Sequence, residues 1–381
     1  MNETKKIRVA LVGLGFGAEF VPIYIHHPNV EYLAICDVVP EVLTKIGDKY
    51  EVKRRFDRLQ PIIDSDDYDA VHIVTPFSGH TKEIIAVLKS GKHCACTVVI
   101  GTSIEGLKAI IAAQRRTKKN FMMMETAVYT REFLFVKDMI KKQELGKIQF
   151  LRGAHYQDME NWPAYWKGFP PMLHGTHAIS PLLAFLETRA TRVRCLGSGY
   201  MREELCQQYG NPYPIETAIF ELEGSDVVAE VTRSQFHTAK AYTECFNVYG
   251  ERATFEWQQI EKEKPVLFRM DPLRRGKNRQ RPAIVERITA IPDRQDLLPR
   301  EIARFTQRGV YDESNPHMSF LQGGGHGGSH PHLVHEFVRS IIEERKPSID
   351  AVTAANWTAA GICAHKSAMC DGESVVVPKF T

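Results

Sequence analysis

An apolar run from Ile7 to Val12 leads without a break into Gly13-Leu14-Gly15-Phe16-Gly17-Ala18. A strand that ends in glycines at this spacing and then opens a helix constrains the first part of the chain to a dinucleotide-binding βαβ unit. Gly13 permits the tight turn, and Gly15 removes the Cβ that would block a pyrophosphate. The helix N-terminus beyond offers N–H donors and a partial positive charge. A second run, Tyr32 to Cys36, ends on Asp37, at the spacing where a carboxylate binds the adenosine ribose. Asp37 would repel a 2′-phosphate, and Val38-Val39 supply no Arg to accept one. The expected cofactor is therefore NAD rather than NADP.

The alternation continues. Ala70 to Thr75 and His93 to Val98 read as strands, Thr81 to Ser90 and Ile104 to Arg116 as helices, then a strand Phe121 to Met124 and a helix from about Arg131 to Gln143. Short apolar runs between amphipathic segments predict a parallel sheet covered on both faces. After Gly146 the pattern changes. Gln149 to Gln157 reads as extended, Glu216 to Leu222 and Val227 to Ser234 as a hairpin, and Phe246 to Trp257 as another around Gly250-Glu251. This part predicts an antiparallel sheet. Late in the chain, a helix Pro331 to Glu343 follows a glycine-rich loop, with His330 at its N-cap and His332 and His335 in a solvent-facing first turn.

At 381 residues the chain is too long for one ordinary core, so two domains are expected. A net charge of +3 is too small to argue for nucleic acid or an anionic membrane. No export signal or bilayer-length apolar stretch is evident, so a cytoplasmic protein with reduced, buried thiols is expected. Cys94-x-Cys96 lacks the two-residue gap of redox and zinc motifs and reads as a buried strand end. No His, Cys or carboxylate set has convincing ligand spacing, so no metal is expected. The basic positions Arg274, Arg275, Lys277, Arg279 and Arg281, within 262–287, read as a solvated loop between strands.

The chain resembles the glucose–fructose oxidoreductase / inositol dehydrogenase (Gfo/Idh/MocA) family in "VGLGFGAEF", "AICDVVPE", "VHIVTPFSGHTKEIIAVLKSGKH", "LGKIQFLRGAHY", "THAISP" and "AANWTAAGICAHKSA". The resemblance implies an α/β protein: an N-terminal Rossmann domain over residues 1–126, and a C-terminal α/β domain over 127–381 built on a large, mostly antiparallel sheet. The C-terminal helix and tail would pack back on the first domain. It implies cofactor contacts from Gly13, Gly15, Phe16, Gly17, Asp37, Thr75, Pro76, His80 and Thr97. It also implies a small-molecule sugar or glycoside substrate and a homo-oligomer, dimer or tetramer, with no nucleic acid or membrane partner.

Two departures from the family pattern are visible. Its Glu-Lys-Pro triplet is Thr97-Val98-Val99 here, which removes the proton-transferring Lys and the cis-prolyl turn. Aligned on His177, the usual acidic positions hold Leu173 and Ser180. "MMMETAVYTREF", "MLHGTHAISP" and "GGGHGGSH" are similar instead to the NAD-dependent glycoside hydrolases of that superfamily. This likeness implies catalytic roles for His177, His174, Glu125 and Tyr129, and sugar contacts from Tyr156, Trp162, Trp166 and His326. A neutral imidazole can take a hydroxyl proton near pH 7. His174 and His177, three apart, share a face if their segment is helical. The expected activity is oxidation of a pyranoside at C-3, as a net dehydrogenase or as one step of a redox-neutral glycoside cleavage. A cyclitol dehydrogenase and a silent NAD- or sugar-binding protein are the alternatives.

Overall fold

The computed structural model describes residues 5–260, 263–271, 283–307 and 325–381. The basic positions Arg274, Arg275, Lys277, Arg279 and Arg281 lie outside the described residues. The chain divides into two compact units. The first is Met1–Tyr129 with Asp293–Ala359 and Phe380–Thr381; the second is Thr130–Pro292 with Ala360–Lys379.

The first unit is built on six strands: β1 (Ile7–Val12), β2 (Val30–Cys36), β3 (Arg55–Phe56), β4 (Ala70–Ile73), β5 (His93–Thr97) and β6 (Phe121–Met124). Their order is β3-β2-β1-β4-β5-β6 and every pair is parallel. The order reverses between β1 and β4, which places the ligand crevice of an open α/β sheet at the loops after those two strands. The connecting helices are α1 (Val21–His26), α2 (Pro40–Lys49), α3 (Gln60–Asp64), α4 (Phe77–Lys89) and α5 (Ile104–Thr117). The strands are apolar on both faces because helices cover both, and all of β4 and β6 is buried.

Two details differ from expectation. The helix opened by the glycine loop is a 3₁₀ turn, Gly17–Phe20, followed by only the six residues of α1. Pro22 lacks the N–H that would continue α-helical bonding back to Ala18. The bond between Val98 and Val99 is cis although no proline follows it.

The second unit holds α6 (Arg131–Lys141), β7 (Ile148–Tyr156), α7 (Thr176–Phe185), β8 (Ala190–Ser198), the one-turn α8 (Glu203–Cys206) and β9 (Ile215–Leu222). It continues with β10 (Val228–Ser234), β11 (Thr243–Gly250), β12 (Ala253–Glu256), β13 (Val266–Met270) and β14 (Ala283–Arg287). With β15 (Val375–Val376) they form a nine-stranded sheet, order β14-β13-β12-β11-β7-β10-β9-β8-β15. All its pairs are antiparallel except β7 with β10. Helix α7 lies so close on β7 that a Cβ on Gly153 would stand 2.2 Å from the Ala178 carbonyl oxygen, so only glycine fits there.

Late elements return to the first unit: the short α9 (Arg300–Ala303) and α10 (Gly325–Ile342), while α11 (Ala351–Ala368) leads back into the second. Within α10, His326, Gly327 and Gly328 take positive φ and interrupt the helix. His332 and His335, expected to face solvent, are packed instead, as is the expected N-cap His330. His330 and His332 are buried, and His335 Nδ1 lies 3.1 Å from His27 Nε2. The thiols also depart in part from expectation. Cys36, Cys94, Cys96, Cys195 and Cys363 are buried, whereas Cys206 and Cys245 are half-buried and Cys370 is exposed. Burial raises the Cys94 and Cys96 thiols well above the ordinary range, which suits inert core groups.

Candidate active site

Gly13 has φ +92, and a Cβ there would meet the Val74 carbonyl oxygen at 2.5 Å. The turn after β1 therefore presses on the end of β4 in a way only glycine allows. Nothing stands within 4 Å of a Cβ built on Gly15, so this position leaves room for a pyrophosphate. Asp37 ends β2 and is partly exposed. Its Oδ2 accepts from the Leu14 N–H at 2.7 Å, and its Oδ1 from the Val39 N–H at 2.9 Å. The carboxylate is thus pinned beside the glycine loop by backbone donors. A cradle with these glycines and this acid fits NAD.

His80 is buried with each ring nitrogen against a carbonyl oxygen, Nε2 to Thr75 at 2.7 Å and Nδ1 to Val99 at 2.8 Å. It braces the loops after β4 and β5. Pro76 is exposed at the start of α4, Thr75 bonds Glu83 at 2.5 Å, and Thr97 closes β5 in a buried position. Phe16, half-buried between Gly15 and Gly17, faces His326 with ring centroids 5.4 Å apart.

Glu125 and Tyr129 follow β6 in the same unit. Glu125 is fully buried and accepts from the Ala127 N–H at 3.0 Å, capping the 3₁₀ turn Thr126–Val128. The Tyr129 hydroxyl bonds Ser348 Oγ at 2.6 Å, and its ring stacks on His332. Burial raises the Tyr129 phenol above its ordinary range, the wrong direction for a group that must ionise near neutrality.

In the second unit the sheet register assembles a polar row that motif reading misses. Arg233 pairs with Glu216 on one side and His155 on the other, and His155 pairs in turn with Glu244. All four residues are buried. The Arg233 guanidinium donates to the carbonyls of His174, His155 and Ser234 and to Gln157 Oε1. Burial lowers it to about 9, with Tyr242 and Glu244 opposing, so it remains a cation at neutral pH. Glu216 ties the row to its surroundings, accepting from the Met172 N–H at 2.7 Å and meeting His365 Nδ1 at 2.7 Å. Strand alternation holds the signal for this row. Arg233 is in phase with Ala229 and Val231, and Glu244 with Phe246 and Val248, so charges occupy core-facing positions. Which strands would be neighbours, and in what register, is not written in any one segment.

The two predicted histidines meet over this row. Their rings are 5.2 Å apart, His174 in the turn Pro171–His174 and His177 in the first turn of α7. His177 Nε2 stands 4.0 Å from Glu244 Oε1, and His155 Nε2 stands 3.7 Å from the same oxygen. The Tyr242 hydroxyl also bonds that oxygen. His174 Nδ1 faces donors, Arg233 Nη2 at 3.2 Å and Gln235 Nε2 at 3.3 Å. Burial first, then the Arg233 charge, hold His174 well below the usual histidine range. It is a neutral ring with its proton on Nε2. Trp166 packs on His174 at 4.8 Å, with half-buried Trp162 edge-on to Trp166. Tyr156 departs from expectation. Strand alternation sends it to the face opposite His155, the face of Arg152 and Cys245, away from the imidazoles.

Among the described residues, no group of three or more His, Cys, Asp or Glu could hold a metal ion. No helix among them is long and apolar enough to cross a membrane.

Residues 7–125 match the profile of the oxidoreductase family with an NAD-binding Rossmann fold, GFO_IDH_MocA. A glycosyl hydrolase family 109 protein of Phocaeicola vulgatus is 27% identical over 210 residues, 50% of this chain and 45% of that protein. One from Shewanella baltica is 28% identical over 203 residues, 47% of this chain and 44% of its own length. The matches thus span less than half of these relatives. Among solved structures, levoglucosan dehydrogenase with NADH and levoglucosan superposes with a TM-score of 0.76 at 18% identity, covering 98% of this chain and 100% of that one. Scyllo-inositol dehydrogenase from Lactobacillus casei gives 0.71 at 18% identity, covering 98% and 99%. At such identities the likeness is one of fold.

Proposed function

We propose, from the premise that residues 7–125 belong to the NAD-binding Gfo/Idh/MocA oxidoreductase family, that the chain is an NAD-dependent oxidoreductase of sugars or glycosides acting at C-3 of a pyranoside. The observation that carries the reading is the imidazole pair His174–His177, walled by Trp166 and set over a buried row of charge. NAD held by Gly13, Gly15 and Asp37 supplies the hydride acceptor. His177 takes the hydroxyl proton, and the Glu244 carboxylate 4.0 Å away favours the imidazolium that forms. His174, locked neutral, donates from Nε2 to a sugar oxygen and so orients the ring. Trp162 and Trp166 offer aromatic faces to the sugar. This division of labour replaces the Lys missing at Val98.

A C-3 ketone makes the C-2 proton acidic. A base can then remove it and expel the C-1 substituent, which is how the same residues would serve glycoside cleavage. Exposed apolar side chains on the nine-stranded sheet, Leu196, Ile219, Ile284 and Val285, support a homo-oligomer, checked by light scattering. The activity is tested by incubating the protein and NAD with a panel of nitrophenyl glycosides and inositols, following nitrophenol release and NADH absorbance. A signal from at least one glycoside is expected. Response to inositols alone would make the chain a cyclitol dehydrogenase, and silence throughout would leave a binding protein.

A further inference from the structure

The turn that carries His174 is gripped at both ends by charges of opposite sign. The opening N–H groups of a helical turn have no partner within it, and Pro171 has none to offer, so the first N–H of this turn is that of Met172. It donates to Glu216 Oε2 at 2.7 Å. At the other end the His174 carbonyl accepts from Arg233 Nε at 3.2 Å. Glu216 and Arg233 are cross-strand partners on β9 and β10. A carboxylate thus meets the N–H end of the turn and a guanidinium its C=O end, each opposite in sign to the peptide dipole it faces. Every N–H of Arg233 is spent on the protein: Nε on the His174 carbonyl, Nη1 on the carbonyls of His155 and Ser234, Nη2 on Gln157 and on His174 Nδ1. Arg233 therefore holds the turn and has no donor left for a substrate. Glu216 is fully buried, and its second oxygen, Oε1, lies 2.7 Å from His365 Nδ1. His365 stands on the stretch of α11 that belongs to the second unit, one helical turn after Gly361. A Cβ on Gly361 would stand 2.2 Å from the Met172 carbonyl oxygen, so this face of α11 lies directly on the same turn.

We propose that Glu216 and His365 are positioning residues for the reaction: His365 fixes the Glu216 carboxylate, Glu216 fixes the Met172 N–H, and the turn so held sets His174 against the sugar. This rests on the sugar-oxidoreductase reading above and extends it to a helix that motif reading leaves out of the site. A carboxylate only accepts, so His365 carries its proton on Nδ1 and donates to Oε1. Both Glu216 oxygens are then engaged, as a buried carboxylate requires. Without the His365 donor the carboxylate keeps one bond and can turn away from Met172. Met172 and His174 share a turn, so the displacement reaches the imidazole. The His174 Nδ1 lone pair depends on Arg233 Nη2 at 3.2 Å and Gln235 Nε2 at 3.3 Å, near the outer limit of such bonds. A misplacement of about 1 Å would break them, and one of that size can cost about 10²-fold in rate. Neither Glu216 nor His365 touches the sugar in this scheme; both act through His174.

The test compares His365→Leu with His365→Asn in the full chain. Asn places its amide nitrogen where the imidazole Nδ1 stands and keeps a donor to Glu216; Leu fills the space without one. His365 is half-buried on a helix, so both variants should fold. The first readout is NMR with ring ¹⁵N-labelled histidine and no substrate, the His174 signals being assigned with His174→Asn. A single His174 tautomer with Nδ1 unprotonated is expected in the wild type, a mixture in His365→Leu, and the single tautomer again in His365→Asn. A single tautomer unchanged in His365→Leu, or lost equally in His365→Asn, would overturn the proposal. This result holds or fails apart from the sugar reading. With a reacting glycoside in hand, His365→Leu should lower kcat by about 10- to 10²-fold with KM for NAD unchanged, and His365→Asn should recover most of the loss. Undiminished kcat in His365→Leu would overturn the positioning role, whereas a wild type silent with every glycoside would sink the sugar reading and leave the clamp to the NMR result.

Discussion

The two units use polar residues in opposite places. In the six-stranded parallel sheet the strand interiors are mostly apolar, the buried His72 of β4 being an exception, and the residues of the nucleotide cradle sit where strands end: Gly13 after β1, Asp37 after β2, Thr75 after β4, Thr97 at the close of β5. In the nine-stranded sheet the polar groups lie inside the strands, as the row Glu216, Arg233, His155 and Glu244 under α7. The difference follows from the sheets. A parallel sheet covered on both faces offers charged groups little but its ends. An antiparallel sheet with a helix on one face can carry a charged row there, provided every charge is hydrogen-bonded.

The comparison can be broken most strongly at Arg233. Removing one member of a buried, hydrogen-bonded charge set costs about 3–5 kcal/mol. Arg233→Ala should lose stability of that order in denaturant unfolding, whereas Asp37→Ala, which removes an acceptor for two backbone N–H groups at a partly exposed strand end, should lose less, about 1–3 kcal/mol. Equal, small losses would mean the row is not structural. Next in size is His177→Ala, expected to lose about 10²–10⁴-fold in turnover while NAD affinity and Tm hold. Near-full turnover would remove His177 from the chemistry.

Acid should act on both units. Burial lowers His27 and His72 to about 3 and His332 to about 4 in the first unit, and His174 in the second is lowered further by Arg233. A histidine kept neutral by folding costs nothing above its unfolded value of about 6.5. Below that the unfolded chain binds the extra proton, so each such group removes about 1.4 kcal/mol per pH unit until its folded value is reached. Tm should therefore be flat above about pH 6.5 and fall steeply below it; a Tm independent of pH down to about 4 would show that these rings are not held neutral. Smaller again, Asp37→Ala should weaken NAD by about tenfold, the loss of hydrogen bonds to a charged group, and relax discrimination against NADP. Isothermal titration with both nucleotides measures this. Tighter NADP binding by the unaltered protein would contradict the role given to Asp37. Dialysis against a chelator should change activity least, with no loss expected.

Legibility differs between the units for the same physical reason. Glycine spacing, strand ends and Asp37 are local in the chain, so the parallel sheet and its cradle could be read from sequence. The histidine pair was legible through the likeness of "MLHGTHAISP" to the glycoside-hydrolase motif, with the three-residue spacing adding only a shared face. Arg233 and Glu244 show only as charges in the apolar phase of a strand. Their partnership depends on β7 lying between β10 and β11, a long-range pairing. The Glu216–His365 contact joins residues 149 positions apart, and the cis bond after Val98 has no proline to announce it.

The central claim, oxidation at C-3, is tested most directly with a glycoside carrying deuterium at C-3. Protein in excess and NAD are mixed with it for a single turnover, and the reduced nicotinamide is analysed by mass spectrometry. Deuterium in the nicotinamide ring is the expected result, and it should disappear in His177→Ala. Aglycone release with the label still at C-3 and none on the nicotinamide at any time point would contradict the claim.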